Sequence, residues 1–227
     1  MANLKQLGGK LISLLLALAM ITALMPAVSL TASAAGVKYV LTADTPLYDS
    51  DGWTWDGQTL HFFGAGTFSV DSPQYFLIES TKDGGAAVID ISGSLSVSFA
   101  TDGNFIKSYY PLDIKGAGKV TVTSAGNSIA ALFNATSYSL TYEGGAICCD
   151  DANAILQVFI CTDLGINRGS IDVASEYSSF AAESCTIKDS SVVVDKIQSR
   201  PQTETLYVTI EKSYVDLGAV ITYIQWG

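Results

Sequence analysis

The sequence predicts an all-β chain, a right-handed parallel β-helix of about seven rungs with a short N-terminal cap, preceded by a signal peptide. Three observations predict it. Pairs of short apolar-x-apolar segments recur between Leu60 and Leu217 at roughly 21 to 29 residue intervals, a turn that often contains Gly separates the members of each pair, and the apolar positions alternate instead of following helical spacing.

Residues 1–34 read as a targeting segment. Lys5 and Lys10 precede an apolar run from Leu11 to Met25, and Ala32-Ser-Ala34 supplies a small-residue cleavage pattern. The run is short for a bilayer span, so cleavage near Ala35 is the expectation, and with it a secreted, extracellular or cell-surface location with no remaining membrane span. Cleavage would remove two of the 12 basic residues and none of the 22 acidic ones, leaving 10 against 22 and a formal charge of −12. That charge excludes nucleic acid as a natural partner and repels polyanionic substrates unless a divalent cation intervenes.

Residues 35–58 form the expected cap, with a strand-like Tyr39-Val-Leu-Thr42 and a turn over Asp51-Gly-Trp-Thr-Trp-Asp-Gly57. Residues 59–218 carry the repeats. The first members are Leu60-His-Phe62, Ile89-Asp-Ile91, Leu112-Asp-Ile114, Leu140-Thr-Tyr142, Leu164-Gly-Ile166, Cys185-Thr-Ile187 and Val208-Thr-Ile210. Their second members are Phe68-Ser-Val70, Leu95-Ser-Val97, Val120-Thr-Val122, Ile147-Cys-Cys149, Ile171-Asp-Val173, Val192-Val-Val194 and Val215-Asp-Leu217. A third strand per turn is visible in Phe76-Leu-Ile78, Ile129-Ala-Ala131 and Phe180-Ala-Ala182. A hairpin-built β-sandwich would also give short strands and Gly turns, but it has no reason to place like residues in columns seven times over. Residues 219–227 continue an apolar strand pattern. They either dock on another molecule, a second copy included, or bend away at Gly218 and cap the column.

Four cysteines in an exported chain suggest disulfides. The repeat register instead turns Cys149 and Cys185 inward as small hydrophobes and Cys148 outward, which favours free thiols.

The residues between the first apolar pairs read His61, Asp90, Asp113, Thr141, Gly165, Thr186 and Thr209, an outward column in which Asp90 and Asp113 would be neighbours. Two carboxylates so placed repel, and a bound cation would relieve them; this makes Asp90 and Asp113 the metal candidates, with calcium the ion of choice. Solvated ladder residues explain the same pattern. Asp49, Asp51 and Asp56 cluster around the Trp turn, where turn chemistry accounts for them. For carbohydrate binding the candidates are the aromatic pairs Tyr109 with Tyr110 and Trp53 with Trp55, because aromatic faces stack on sugar rings. The two Trp would look the same as an end cap.

Two stretches, Gly52-Trp-Thr-Trp-Asp-Gly57 followed by Gln58-Thr-Leu60, and Leu112-Asp-Ile-Lys-Gly-Ala-Gly-Lys-Val-Thr-Val-Thr-Ser124, resemble exported β-helix proteins of Gram-positive bacteria labelled carbohydrate-binding domain-containing. The resemblance spans roughly residues 50–217. It implies a non-catalytic module related to pectin-binding β-helices that use calcium, and it carries no catalytic residue across. A lyase needs a base beside a cation or acid, and neither Arg168 nor Arg200 sits beside an acidic cluster in the repeat register. The expected function is therefore a secreted or surface carbohydrate-binding module without catalysis, with no required cofactor. A structural or adhesive protein binding other proteins or itself is the alternative, and a polysaccharide lyase or glycoside hydrolase is a more distant one.

Overall fold

The computed structural model describes residues 36–49, 52–125, 130–149, 151, 153–173, 175, 178–199 and 206–221. The segment expected to be a signal peptide lies outside them. Described residues form strands and turns only, with no helix.

In chain order, β1 (Val37–Leu41), β2 (Leu47–Asp49) and β3 (Trp53–Trp55) precede the first rung, which is β4 (Thr59–Phe62), β5 (Ala65–Val70) and β6 (Gln74–Ile78). The second rung is β7 (Ala87–Ile91), β8 (Ser94–Phe99) and β9 (Gly103–Ser108); the third is β10 (Leu112–Lys115), β11 (Lys119–Ser124) and β12 (Ala130–Asn134). The fourth is β13 (Leu140–Glu143), β14 (Ala146–Cys149) and β15 (Leu156–Ile160), and the fifth β16 (Asp163–Asn167), β17 (Ser170–Val173) and β18 (Ser179–Ala182). In the sixth, β19 (Ser184–Lys188) is followed by the long β20 (Ser191–Ser199), and in the last β21 (Tyr207–Glu211) by β22 (Tyr214–Ile221).

Each strand of the rungs pairs in parallel with its counterparts one rung away, so the chain is a parallel β-solenoid of about six turns. The first face stacks β4, β7, β10, β13, β16, β19 and β21; the second stacks β5, β8, β11, β14, β17, the start of β20 and β22. The third runs β1, β6, β9, β12, β15, β18 and the end of β20.

Like residues form inward columns. On the first face Leu60, Ile89, Ile114, Tyr142, Ile166, Ile187 and Ile210 succeed one another. On the second, Leu95, Val120, Ile147, Ile171, Val192 and Val215 do the same. The third face holds an aromatic column of Tyr39, Phe76, Ile106, Phe133, Phe159, Phe180 and Ile197, in which Phe133 stacks on Phe159 at 5.9 Å. Each fully buried Phe contributes about 1.5–3 kcal/mol of transfer free energy.

The structure moves two registers from the expected alignment. Leu112 pairs with Ala87, and Ile114 with Ile89, so β10 is shifted by two residues against β7; β5 is shifted likewise, with Phe68 beside Val97. A two-residue slip keeps every side chain on its own face, so alternation cannot detect it. On the third face the column residue is Phe133, three positions after Ala130, while Ile129 lies outside the described residues.

The turn between the first and second faces is where the backbone is most constrained. Gly116, Gly144, Arg168, Asp189 and Lys212 each directly follow a first-face strand, and all have positive φ. Each of Gly144, Arg168 and Asp189 donates its N–H to the turn one rung on, to the carbonyls of Asn167, Lys188 and Glu211 at 3.0, 3.1 and 3.0 Å. The stacked turns leave no room for a side chain at Gly116, where a Cβ would lie 2.2 Å from the Ile91 carbonyl oxygen.

At the N-terminal end β2 and β3 run antiparallel to one another and β3 antiparallel to β4, placing Trp53 opposite Phe62 and Trp55 opposite Leu60. Trp53 and Trp55 are buried, and the Trp55 Nε1–H donates to the Thr42 carbonyl at 2.8 Å. At the other end β22 keeps its register with β20 on both sides of Gly218, through Ala219, Val220 and Ile221. The expected bend at Gly218 does not lead the chain off the rung there, and residues 222–227 lie outside the described ones.

Candidate functional site

The outward residues of the first face fall into two columns once the true register is applied. One reads Thr59, Val88, Asp113, Thr141, Gly165, Thr186 and Thr209; the other reads His61, Asp90, Lys115, Glu143, Asn167, Lys188 and Glu211. Asp90 and Asp113 therefore do not face one another. Asp113 stands beside Val88, while Asp90 stands between His61, whose Nδ1 is 3.1 Å from Asp90 Oδ2, and Lys115. The two-residue shift turns the two aspartates from direct into diagonal neighbours, and direct opposition was the basis of the cation site. Among the described residues no group of three or more His, Cys, Asp or Glu side chains is placed to hold a metal ion. The second column alternates sign where Lys115 stands beside Glu143 and Lys188 beside Glu211. Lys188 and Glu211 form an ion pair at 3.6 Å; Glu143 takes its ion pair from Arg168.

Of the aspartates around the Trp turn, Asp51 and the Asp49 side chain lie outside the described residues. Asp56 works as a turn residue, accepting the Gln58 and Thr59 N–H groups at 2.8 and 2.7 Å. Burial pushes its carboxyl up, but those bonds, aided by Lys82 and His61, hold it below the ordinary carboxylate value.

Trp53 and Trp55, candidates for sugar stacking, are withdrawn from that role by their burial. Trp53 meets Tyr39 at 5.0 Å and Phe76 at 4.9 Å, edge to face, and so closes the aromatic core. The two tyrosines are placed differently. Tyr109 and Tyr110 occupy the corner between β9 and β10, and Tyr138 occupies the same corner one rung on, between β12 and β13. The Tyr110 and Tyr138 rings lie nearly parallel, 11° apart with centroids at 6.5 Å, and Tyr109 and Tyr138 are 47% and 40% exposed. Lys107 Nζ sits 5.6 Å from the Tyr109 ring centroid, a cation–π contact.

On the same strands, toward their N-terminal ends, the third face carries a shallow open depression of about 300 Å³ lined by Pro73, Asp102, Gly103, Asn104, Ala131, Gln157 and Ile160. Its cause is local. The outward column here is Gln74, Asn104, Ala131, Gln157 and Ser179, and the small Ala131 between two amides makes the dip. Asn104 is held by accepting from Asn134 Nδ2 at 2.7 Å and donating to the Pro73 carbonyl at 3.2 Å. Gln74 Oε1 in this column is buried and has no hydrogen-bond partner among the described residues. Tyr138, Asn104 and Gln157 were not singled out from sequence; an alignment that placed Phe133 under Phe76 would have brought the two amides into one column.

Among the described residues no cysteine is joined in a disulfide. Cys161 and Cys185 are buried, Cys149 packs against the core, and Cys148 faces Thr121 Oγ1 at 3.4 Å. Burial pushes the Cys185 thiol up to about 12, which makes it inert at neutral pH.

Comparison with known proteins finds no relative. No family model matches the chain, and neither curated proteins nor solved structures give a match. The solenoid is therefore established by its own pairing pattern, and functional inference starts from the tyrosine corner and the amide-lined depression.

Proposed function

We propose that this chain is an exported, non-catalytic carbohydrate-binding module whose ligand lies along the outer third face, from the Asn104–Gln157 depression to the tyrosine corner. The observation that carries the reading is the corner itself: Tyr109, Tyr110 and Tyr138 gathered on adjacent rungs, two of the rings parallel and two of the three well exposed. Rings on a rigid ladder offer flat apolar area at low entropy cost, which suits the faces of pyranose rings. Amide side chains and Asp102 supply donors and acceptors for sugar hydroxyls without adding positive charge. From Asn104 to Tyr109 the strand covers about 17 Å, a span suited to a short oligosaccharide.

An array of soluble glycans, probed with and without chelator, tests this reading. Binding that falls by tenfold or more, about 1.4 kcal/mol, in a Tyr110→Ala, Tyr138→Ala double variant supports it. The absence of any glycan ligand, or one whose binding is untouched by both Tyr110→Ala with Tyr138→Ala and Gln157→Ala, refutes it. Self-association, the adhesive alternative, draws on a separate observation at the C-terminal end.

A further inference from the structure

Residues that are sealed at one end of the solenoid are open at the other. Leu60, Phe62, Phe68, Val70 and Phe76 on the first rung are all buried beneath the Trp53–Trp55 strand and its neighbours. On the last rung Ile210, which continues the column of buried Ile166 and Ile187, is 49% exposed, and Val208, Val215 and Leu217 are only half buried. Tyr207 and Tyr214 beside them are 70% and 62% exposed. Among the described residues nothing pairs with the outer edge of β21. An open strand edge over an exposed apolar end is a template for another strand.

We propose that this end is a self-association surface on which a second copy of the chain docks by antiparallel pairing of β21 with itself, across a two-fold axis at Thr209. The sequence of β21 is self-complementary in that register. Val208 then faces Ile210 of the second copy on the inward side, Thr209 faces Thr209, and Tyr207 faces Glu211, so no like charges stand opposite one another. The asymmetry of the ends decides the symmetry. A head-to-tail stack would set the open end against one already sealed, whereas an isologous pair buries both open ends and stops at two. The surface is the end of one rung and therefore small, which puts the association among weak, transient contacts.

Thr209→Cys tests the register directly, because residues opposite one another in an antiparallel pair have Cα atoms within disulfide range. Under mild oxidation this variant should form a covalent dimer at least about tenfold faster than Thr186→Cys, the equivalent outward position one rung inside. In sedimentation equilibrium the unmodified protein should fit a monomer–dimer model, and Thr209→Lys, which sets two ammonium groups together on the axis, should be monomeric and melt at the same temperature as the unmodified protein diluted to its monomer. Equal cross-linking of the two cysteine variants overturns the proposal. So does a monomer at every concentration, growth beyond two, or a dimer that survives Thr209→Lys.

Discussion

At the scale of single residues, the chain solves one backbone problem five times. The turn after each first-face strand from β10 onward holds a left-handed residue; Gly116 and Gly144 meet that at no steric cost, whereas Arg168, Asp189 and Lys212 take up the same conformation against their own Cβ atoms. Asp189→Gly should relieve that strain and stabilise the protein by about 1 kcal/mol, read as a raised urea midpoint. The opposite change, Gly116→Ala, adds a strained φ and a contact with the Ile91 carbonyl, and should cost about 1–3 kcal/mol or more. Asp56 contributes through its charge. Because its folded carboxyl titrates below the ordinary value of 3.8, its contribution is present above that pH and lost as pH falls through the lowered value. Asp56→Asn keeps the turn but not the charge. Its melting temperature should sit below that of the unmodified protein at pH 7, with the gap closing in acid below 3.8.

Among the elements, the third face matters most for stability because it carries the large side chains. β12 is buried along its whole length, and Phe133 packs between Ile106 and Phe159 in the middle of the stack. Phe133→Ala leaves a cavity that rungs on both sides hold open, and should cost about 3–5 kcal/mol in denaturant unfolding. Phe63, at 58% exposure, is the control: Phe63→Ala should change stability by no more than about 0.5 kcal/mol. The same strands present the amide column and the tyrosine corner outward, so the proposed ligand surface rests on the best-packed wall of the solenoid. A rigid wall holds stacking rings in place, which is what recognition of a stiff polysaccharide needs.

For the molecule as a whole, the proposed glycan binding would be filtered by acidity. The sequence carries 22 acidic against 12 basic residues, and Asp102 lies in the depression itself. A neutral glycan should bind with an affinity that hardly changes between low and physiological salt. A polyuronate should bind only when a divalent cation is present, and chelator should abolish it. Isothermal titration of a neutral and a uronate oligosaccharide of equal length, at two salt concentrations, separates the two cases.

Period and face were legible in the chain. Apolar alternation with a recurrent turn is enough to specify parallel rungs, because only stacking buries seven half-apolar segments at once; it also placed Cys185 inward. The length of each slip was not legible. Moving β10 by two residues against β7 leaves every side chain facing the same way, so hydrophobic pattern is blind to it, and the choice fell to how Ala87, Ile91 and the stacked turn at Gly116 fit together. That choice separated Asp90 from Asp113 and gave Asp90 to His61 and Lys115. The fate of the aromatic residues was decided in the same way. Nothing local distinguishes Trp53 from Tyr110, both apolar rings near turns; an antiparallel strand over the first rung buried one, and a corner between two sheets left the other beside Tyr138 at the surface. Alternation along a strand determines which way a side chain points, but only the neighbouring rungs determine what it meets.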